Sequence, residues 1–201
     1  MGTALTIGAI RSALGKLESR RDGAPLSGPA AAVAAVLREA PAGPELLFIR
    51  RAEHPSDPWS GDMGWPGGRV DPGDGGPRAT ALRETREEVS LDLESDGDLI
   101  GSLPPVRTHL SAGEGPLWVA PFVFELAGTP QFVLNHEVQE AVWVPLAFLA
   151  DAANRERFTW TGRGGPVELP RVRYEGRTIW GLTLRMLDDL LAVVGAGDPP
   201  G

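Results

Sequence analysis

The chain has no cysteine, which excludes a disulfide framework, a thiolate metal site and a cysteine nucleophile and is compatible with a reducing cytoplasm. Positive charge is also short. Lys and Arg number 19 against 27 Asp and Glu, a formal net charge of −8, whereas a general nucleic-acid binder needs a basic face to displace counterions from phosphates. No nucleic-acid partner is expected. The three histidines, His54, His109 and His136, are too scattered for a zinc triad, and no two stand at the i, i+4 spacing of a metalloprotease helix. The chain contains no Gly-x-Ser-x-Gly elbow to support serine hydrolysis. Nowhere do about eighteen apolar residues run together. The apolar run near the start, residues 4–10, is interrupted by Thr6 and Gly8 and followed by Arg11 and Lys16, too short and polar for a signal peptide or a membrane span. The protein is therefore expected to be soluble, unprocessed and cytoplasmic, with no membrane partner.

What is present is ordinary globular material. The 201 residues, 42% hydrophobic and 23% charged, suffice for one well-buried domain spanning residues 1–201. With 26 Gly and 19 Pro, the composition fits a loop-rich α/β or α+β protein better than a helical bundle. Residues 3–19 read as an amphipathic helix with Leu5, Ile10, Leu14 and Leu17 roughly on one side. Residues 30–38 and 45–51 read as paired strands joined by a turn at 40–44, with a helix as the alternative for the alanine-rich first segment. Residues 53–66 hold no regular pattern and read as a loop forming a substrate wall. Farther on, 99–107, 117–126 and 140–144 read as strands and 146–152 as a short helix after Pro145. Residues 157–160, 167–172 and 178–179 read as short strands or loop, and 182–194 as a closing helix with Leu184, Leu187, Leu190, Leu191 and Val194 inward. The core then runs from about residue 30 to 194, with no internal repeat.

The stretch from Gly67 to Leu91 carries the chemistry. Gly67, Gly68, Pro72, Gly73, Gly75, Gly76 and Pro77 make its first half a tight loop. Pro77 suits the first position of a helix, and the residues after it are mostly good helix formers. On that helix Glu84, Glu87 and Glu88 stand at i, i+3 and i+4, which puts three carboxylates on one face. They repel one another, and they lie toward the helix end where the dipole disfavours anions. A hard divalent cation relieves both penalties, and Mg2+ typically binds through carboxylates plus substrate phosphates. The other reading is a solvated helix face in which Arg83 pairs with Glu87 at i, i+4. Asp71 and Asp74 lack EF-hand spacing and its terminal Glu, so a calcium loop is not indicated.

Gly68, Asp74, Arg83, Glu84, Glu87, Glu88 and Leu91 resemble the Nudix box: Gly, five residues, Glu, seven residues, then Arg-Glu-apolar-any-Glu-Glu-any-Gly-apolar. The departures are Asp74 for Glu, one extra residue before Arg83, Thr85 for an apolar residue and Ser90 for the last Gly. None removes a carboxylate, and the insertion falls where a loop absorbs it. The resemblance implies a Nudix-type α/β/α sandwich with a mixed β-sheet. It also implies Mg2+-dependent (or Mn2+-dependent) hydrolysis of a diphosphate linkage in a nucleoside diphosphate derivative. By the same resemblance Glu84, Glu87, Glu88 and the Gly68 carbonyl hold metal, Arg83 orients the carboxylates and Asp74 is a supporting acid. The general base is a box glutamate or a later acid, Glu137 or Glu140, both of which also read as surface charges. Arg50, Arg69 and Arg107 are candidate phosphate ligands, the alternative being surface arginines paired with acids.

Residues 46–51, Gly61 and 65–68, with 103–108, 121–123, 143–146 and 180–183, are similar to the coenzyme A diphosphatase branch of that family, so the likeness covers about 30–194. That branch expects an Arg and then a Gly in the loop before the box. Here Pro55 takes the Arg position and Gly61 comes two residues late. Measurable but poor coenzyme A hydrolysis is therefore expected, with another nucleoside diphosphate derivative preferred. Triphosphate pyrophosphohydrolysis and a non-catalytic nucleotide sensor are the rival readings. Monomer and homodimer are left open.

Overall fold

The computed structural model of the chain describes residues 5–18, 30–53, 61–108, 117–162 and 165–195. In chain order the elements are α1 (Ile7–Glu18), β1 (Ala30–Arg38), β2 (Glu45–Arg51), β3 (Met63–Gly64), β4 (Gly67–Arg69), α2 (Pro77–Val89), β5 (Gly97–Ser102) and β6 (Val106–Arg107). There follow β7 (Trp118–Leu126), β8 (Val138–Pro145), α3 (Leu146–Ala150), a 3-10 turn (Ala152–Asn154), β9 (Arg155–Gly162), β10 (Gly165–Tyr174), β11 (Arg177–Trp180) and α4 (Gly181–Val193).

Strands β1 to β8 form one mixed sheet. β1 runs parallel to β7 from Ala30–Trp118 to Arg38–Leu126, while every other pairing in the sheet is antiparallel. β1 and β2 pair at Leu37–Leu46 and Arg38–Glu45 and then diverge. β4 takes up the freed edge of β1, and β3 that of β2. Because β1 is covered on both faces, its alternation is lost and it reads as a continuous apolar run. Its alanines have a purpose, since Ala32 and Ala34 share a core with Ala120 of β7 and Ala81 of α2. Small side chains on both surfaces let the helix approach the sheet closely. On the opposite face a second core gathers Ile10 and Leu14 of α1, Leu146 and Leu149 of α3, Leu187 and Leu190 of α4, and Val172 and Ile179 of β10 and β11. β9, β10 and β11 form a separate three-stranded antiparallel sheet on this side. Helices thus cover both faces of a mixed sheet, as an α/β/α sandwich requires.

Several expectations need correction. Residues 67–69, read as tight loop, form β4, whose register with β1 pairs Gly67 with Val33 and Gly68 with Ala32. A Cβ at Gly67, where φ is +154°, would lie 2.2 Å from the Ala32 carbonyl oxygen. Glycine is present here because two backbones meet, and a strand without side chains leaves no alternating pattern to read. The loop expected over 53–66 contains β3, while residues 54–60 lie outside the described residues. The single strand expected at 99–107 is two, β5 and β6, interrupted at Leu103, Pro104 and Pro105, where proline cannot donate to a ladder. The short pieces expected at 157–160 and 167–172 are the long antiparallel strands β9 and β10, while 178–179 falls in the short strand β11 as expected. The first helix begins later than residue 3, at Ile7, where the Thr6 hydroxyl accepts the Ala9 N–H at 3.1 Å as a cap. Ser90, at the position of the box glycine, adopts the left-handed conformation that ends α2 (φ 56°, ψ 33°), and its hydroxyl donates to the Val133 carbonyl at 3.0 Å. No helix among the described residues is long and apolar enough to cross a membrane.

Candidate active site

The carboxylates of α2 meet the strand that precedes them. Glu88 is only 4% exposed, and its side chain accepts the Gly67 N–H at 2.9 Å. Glu84 packs flat on the next residue, such that a Cβ on Gly68 would sit 2.3 Å from Glu84 Oε1. Both glycines of the pair are therefore set by close approach, one to β1 and one to a carboxylate.

Arg83 is the hub of the polar network. Its Nε donates to Asp74 Oδ1 at 2.9 Å and Nη2 to Asp74 Oδ2 at 3.1 Å, while Nη1 donates to Glu87 at 3.1 Å and Nη2 lies 3.0 Å from Glu84. Nη2 also donates to the Arg69 carbonyl at 3.4 Å. Asp74 in turn accepts the Thr80 hydroxyl at 2.7 Å and the Asp71 N–H at 2.9 Å. The Arg83 guanidinium and these two donors hold the Asp74 carboxyl well below the usual carboxylate range. The extra residue between Asp74 and Arg83 has not cost the bidentate pair. Asp74 reaches across as a shorter acid on a longer loop.

Glu137 comes to the same place. The Asn135 N–H donates to the Glu88 carbonyl at 3.0 Å, and Asn135 Oδ1 accepts the Glu137 N–H at 2.8 Å. The Glu137 carbonyl accepts the Ala52 N–H at 2.8 Å, just past β2. This turn sets the Glu137 charge close enough to act on both Glu84 and Glu88. Burial pushes the Glu88 carboxyl up to about 8, against the Gly67 hydrogen bond and the Arg51 charge, with Glu84 and Glu137 adding to the rise. Glu84 is raised as well, by burial first; Arg83 opposes the rise, and Glu87 and Glu137 reinforce it. Carboxylates raised by burial and by acidic neighbours mark a site short of positive charge.

The other expected residues fall elsewhere. Leu47 and Ile49 of β2 belong to the core beneath α2, and Phe48 to the core on the opposite face. By strand alternation Arg50 therefore points away from α2, where Nη1 meets Glu140 at 3.3 Å, and Arg51 is the residue directed toward the box. Glu140 also takes two bonds from Arg177, at 2.8 and 2.6 Å, and these guanidiniums hold its carboxyl below the usual range. Of the two distal acids, only Glu137 shares the field of the α2 carboxylates. Arg69 lies on β4 beside the network, while Arg107 is exposed on β6 opposite Trp118. His136 is exposed in the turn beside Glu137, and His54 and His109 lie outside the described residues. Sequence reasoning missed Arg51, Thr80 and Arg177. Period-two alternation sets Arg50 and Arg51 on opposite faces but does not say which face α2 covers, and Thr80 and Arg177 had no signal beyond their residue type.

A family model of the NUDIX domain matches residues 28–161. This chain belongs to the Nudix family. It is 32% identical over 165 residues to the mitochondrial coenzyme A diphosphatase NUDT8 of Homo sapiens, covering 77% of this chain and 64% of that protein. It is 36% identical over 109 residues to the peroxisomal coenzyme A diphosphatase ndx-8 of Caenorhabditis elegans, covering 53% of this chain and 44% of that protein. The chain thus spans less than two thirds of the length of either relative. Among solved structures, a C. elegans Ap4A hydrolase binary complex superposes with a TM-score of 0.51 at 25% identity, over 60% of this chain and 82% of that one. The Nudix resemblance to the coenzyme A diphosphatase branch and the mixed-sheet sandwich agree with these likenesses.

The Nudix site offers only oxygen donors, the carboxylates of Glu84, Glu87 and Glu88 and the backbone of the glycine pair, which is the donor set of a hard divalent cation. The flat seating of Glu84 on Gly68 is the local feature that brings backbone and carboxylate together. Among the described residues no three acidic or histidine side chains already converge on one metal-binding point. Glu84 and Glu87 turn instead to Arg83, and Glu88 to the Gly67 N–H.

Proposed function

We propose that this Nudix chain is a Mg2+-dependent (or Mn2+-dependent) pyrophosphohydrolase that cleaves the diphosphate linkage of a nucleoside diphosphate derivative in the cytoplasm. Coenzyme A is among its substrates. The observation that carries the reading is buried Glu88 and half-buried Glu84 beside Gly67 and Gly68, both raised by burial and by the Glu137 charge, with Glu84 adding to the rise of Glu88. Likeness to relatives named as coenzyme A diphosphatases points the same way.

The metal would neutralise the diphosphate charge and acidify a bound water. Glu84, Glu87, Glu88 and the Gly68 carbonyl would hold it. Arg83, fixed by Asp74, holds Glu84 and Glu87 at the site through ion pairs, so that only their carboxylate ends would need to turn toward a cation. Glu137 takes the proton from the attacking water, because it reaches the cluster's field and is exposed enough to pass the proton on. Arg51, on the box side of the sheet, is better placed for phosphate than Arg50 or Arg107, and Arg69 pairs with Ala31 on the other face and offers the box only its carbonyl.

Two measurements test this reading. The first is stability against pH. Folded Glu88 holds its proton more tightly than an unfolded glutamate, so its contribution is fully present below the ordinary glutamate range and is lost as pH rises through about 8. Metal-free protein should therefore lose several degrees of melting temperature between pH 5 and 8.5, roughly 2 to 4 °C per kcal/mol at this size. Glu88→Gln should flatten that fall, and millimolar Mg2+ should offset it at the alkaline end by binding the folded state alone. Glu84→Gln should blunt the Mg2+ effect. A melting temperature indifferent to both pH and Mg2+ would overturn the metal site.

The second is a product screen on coenzyme A, ADP-ribose, diadenosine polyphosphates and nucleoside triphosphates. We expect coenzyme A to yield 3′,5′-ADP and 4′-phosphopantetheine, more slowly than the best substrate yields its products. Losing one charged contact is worth roughly 1.5 to 3 kcal/mol, about one to two powers of ten in affinity. Pro55, on which that expectation rests, lies outside the described residues. Coenzyme A as the best substrate by a wide margin would show that Pro55 carries no such cost.

A further inference from the structure

Three parts of the chain meet at Glu140, on the sheet face away from α2. Its Oε2 accepts Arg177 Nε at 2.8 Å and Nη2 at 2.6 Å, and its Oε1 faces Arg50 Nη1 at 3.3 Å. Arg50 Nε then donates to the carbonyl of Gly61 at 3.3 Å, where the chain enters β3. These side chains are 22% to 31% exposed, so their charges are less screened than those of an open surface pair. β3 needs such help. It pairs with β2 at only Ile49–Gly64 and Arg50–Met63, supported by the Arg51 N–H to Asp62 carbonyl bond at 3.0 Å. Five residues beyond Asp62 stands Gly67, whose amide holds Glu88, and then Gly68, against which Glu84 lies.

We propose that Glu140 and Arg177 are positioning residues that lock the segment leading into Gly67 and Gly68, acting through Arg50 and the Gly61 carbonyl. Both Glu140 oxygens are engaged by guanidiniums, which leaves this carboxylate poorly suited to take a proton from water. The relay ties β11, β8 and β2 to the one stretch of backbone that must keep its place against α2. Any small rotation of residues 61–69 moves the Gly67 amide from Glu88 and the Gly68 backbone from Glu84. The catalytic consequence rests on the pyrophosphohydrolase reading, while the mechanical link does not.

The test is hydrogen exchange and kinetics on full-length Glu140→Gln, Glu140→Asp and Arg177→Met. Peptides covering 61–69 should exchange about tenfold faster in Glu140→Gln and Arg177→Met, with peptides from α4 unchanged. Mg2+ half-saturation of turnover should rise several-fold, with the pH profile of the rate unaltered, and Glu140→Asp should recover part of both effects. The double variant should be no worse than either single one, as for members of one network. Wild-type exchange of 61–69 in Glu140→Gln, or acceleration spread evenly over the protein, would overturn the proposal. So would a shifted pH profile, which would make Glu140 a base after all. If the wild-type enzyme shows no metal-dependent turnover, it is the proposed function that falls, and the exchange data still decide the relay. If Glu140→Gln does not fold, Arg177→Met carries the same readouts.

Discussion

Glu88→Gln is expected to lose at least about 100-fold in turnover, a loss on the scale of removing one preorganised charge-stabilising group, while the protein folds normally and, without metal, melts higher than wild type. The two effects have one cause. Glu88 is 4% exposed and pushed up to about 8 by burial, so its ionised form is costly to the folded state until a cation meets it. The amide substitution keeps an oxygen for the Gly67 N–H and removes only the charge. Glu87→Gln should also be impaired, with a smaller gain in stability, because Glu87 is half-exposed and already paired with Arg83. Turnover and thermal melting of both variants, with and without Mg2+, decide the matter. Near-wild-type turnover in Glu88→Gln would remove that residue from the metal set.

The second large effect is expected at Gly67, and its neighbour supplies the contrast. A methyl group on Gly67 would meet the Ala32 carbonyl oxygen at 2.2 Å and the Val33 Cα at 2.6 Å, and neither can give way without moving β1. Overpacking together with the unfavourable φ puts Gly67→Ala at roughly 3 to 5 kcal/mol, or a melting temperature lowered by roughly 6 to 20 °C. Gly68→Ala meets the end of the Glu84 side chain at 2.3 Å, which can swing aside. That variant should keep most of its stability and lose most of its turnover. Urea unfolding beside a steady-state assay separates the two, and equal stability losses would mean that Glu84 is not free to move.

This contrast also shows why the site was only partly legible in the sequence. The α2 carboxylates were readable because helical spacing is a local property, and Pro77 announced the start of the helix. Strands β1 and β2 were readable from their apolar runs. β4 was hidden because its glycines answer to partners on β1 and α2 that are distant in sequence. Arg50 and Arg51 sit side by side, and choosing between them needs the sheet face, which Phe48 and Ile49 settle only once their two cores are known. Glu137 and Glu140 were likewise equal as sequence. Asn135 ties the first to Glu88, and Arg177, brought in by the second sheet, ties up the other.

The parallel pairing of β1 with β7 governs when this site can exist during folding. β1 is made early in the chain, but its neighbour from Trp118 to Leu126 arrives only after α2, β5 and β6 have been laid down. Closing that long connection costs entropy before the pairing repays it, so such contacts form slowly. Ala120, part of the floor on which Ala81 rests, is delivered by this late strand. An emerging or partly folded chain therefore holds the carboxylates of α2 on a helix with an incomplete floor, and in refolding the recovery of turnover should lag behind the recovery of helical signal.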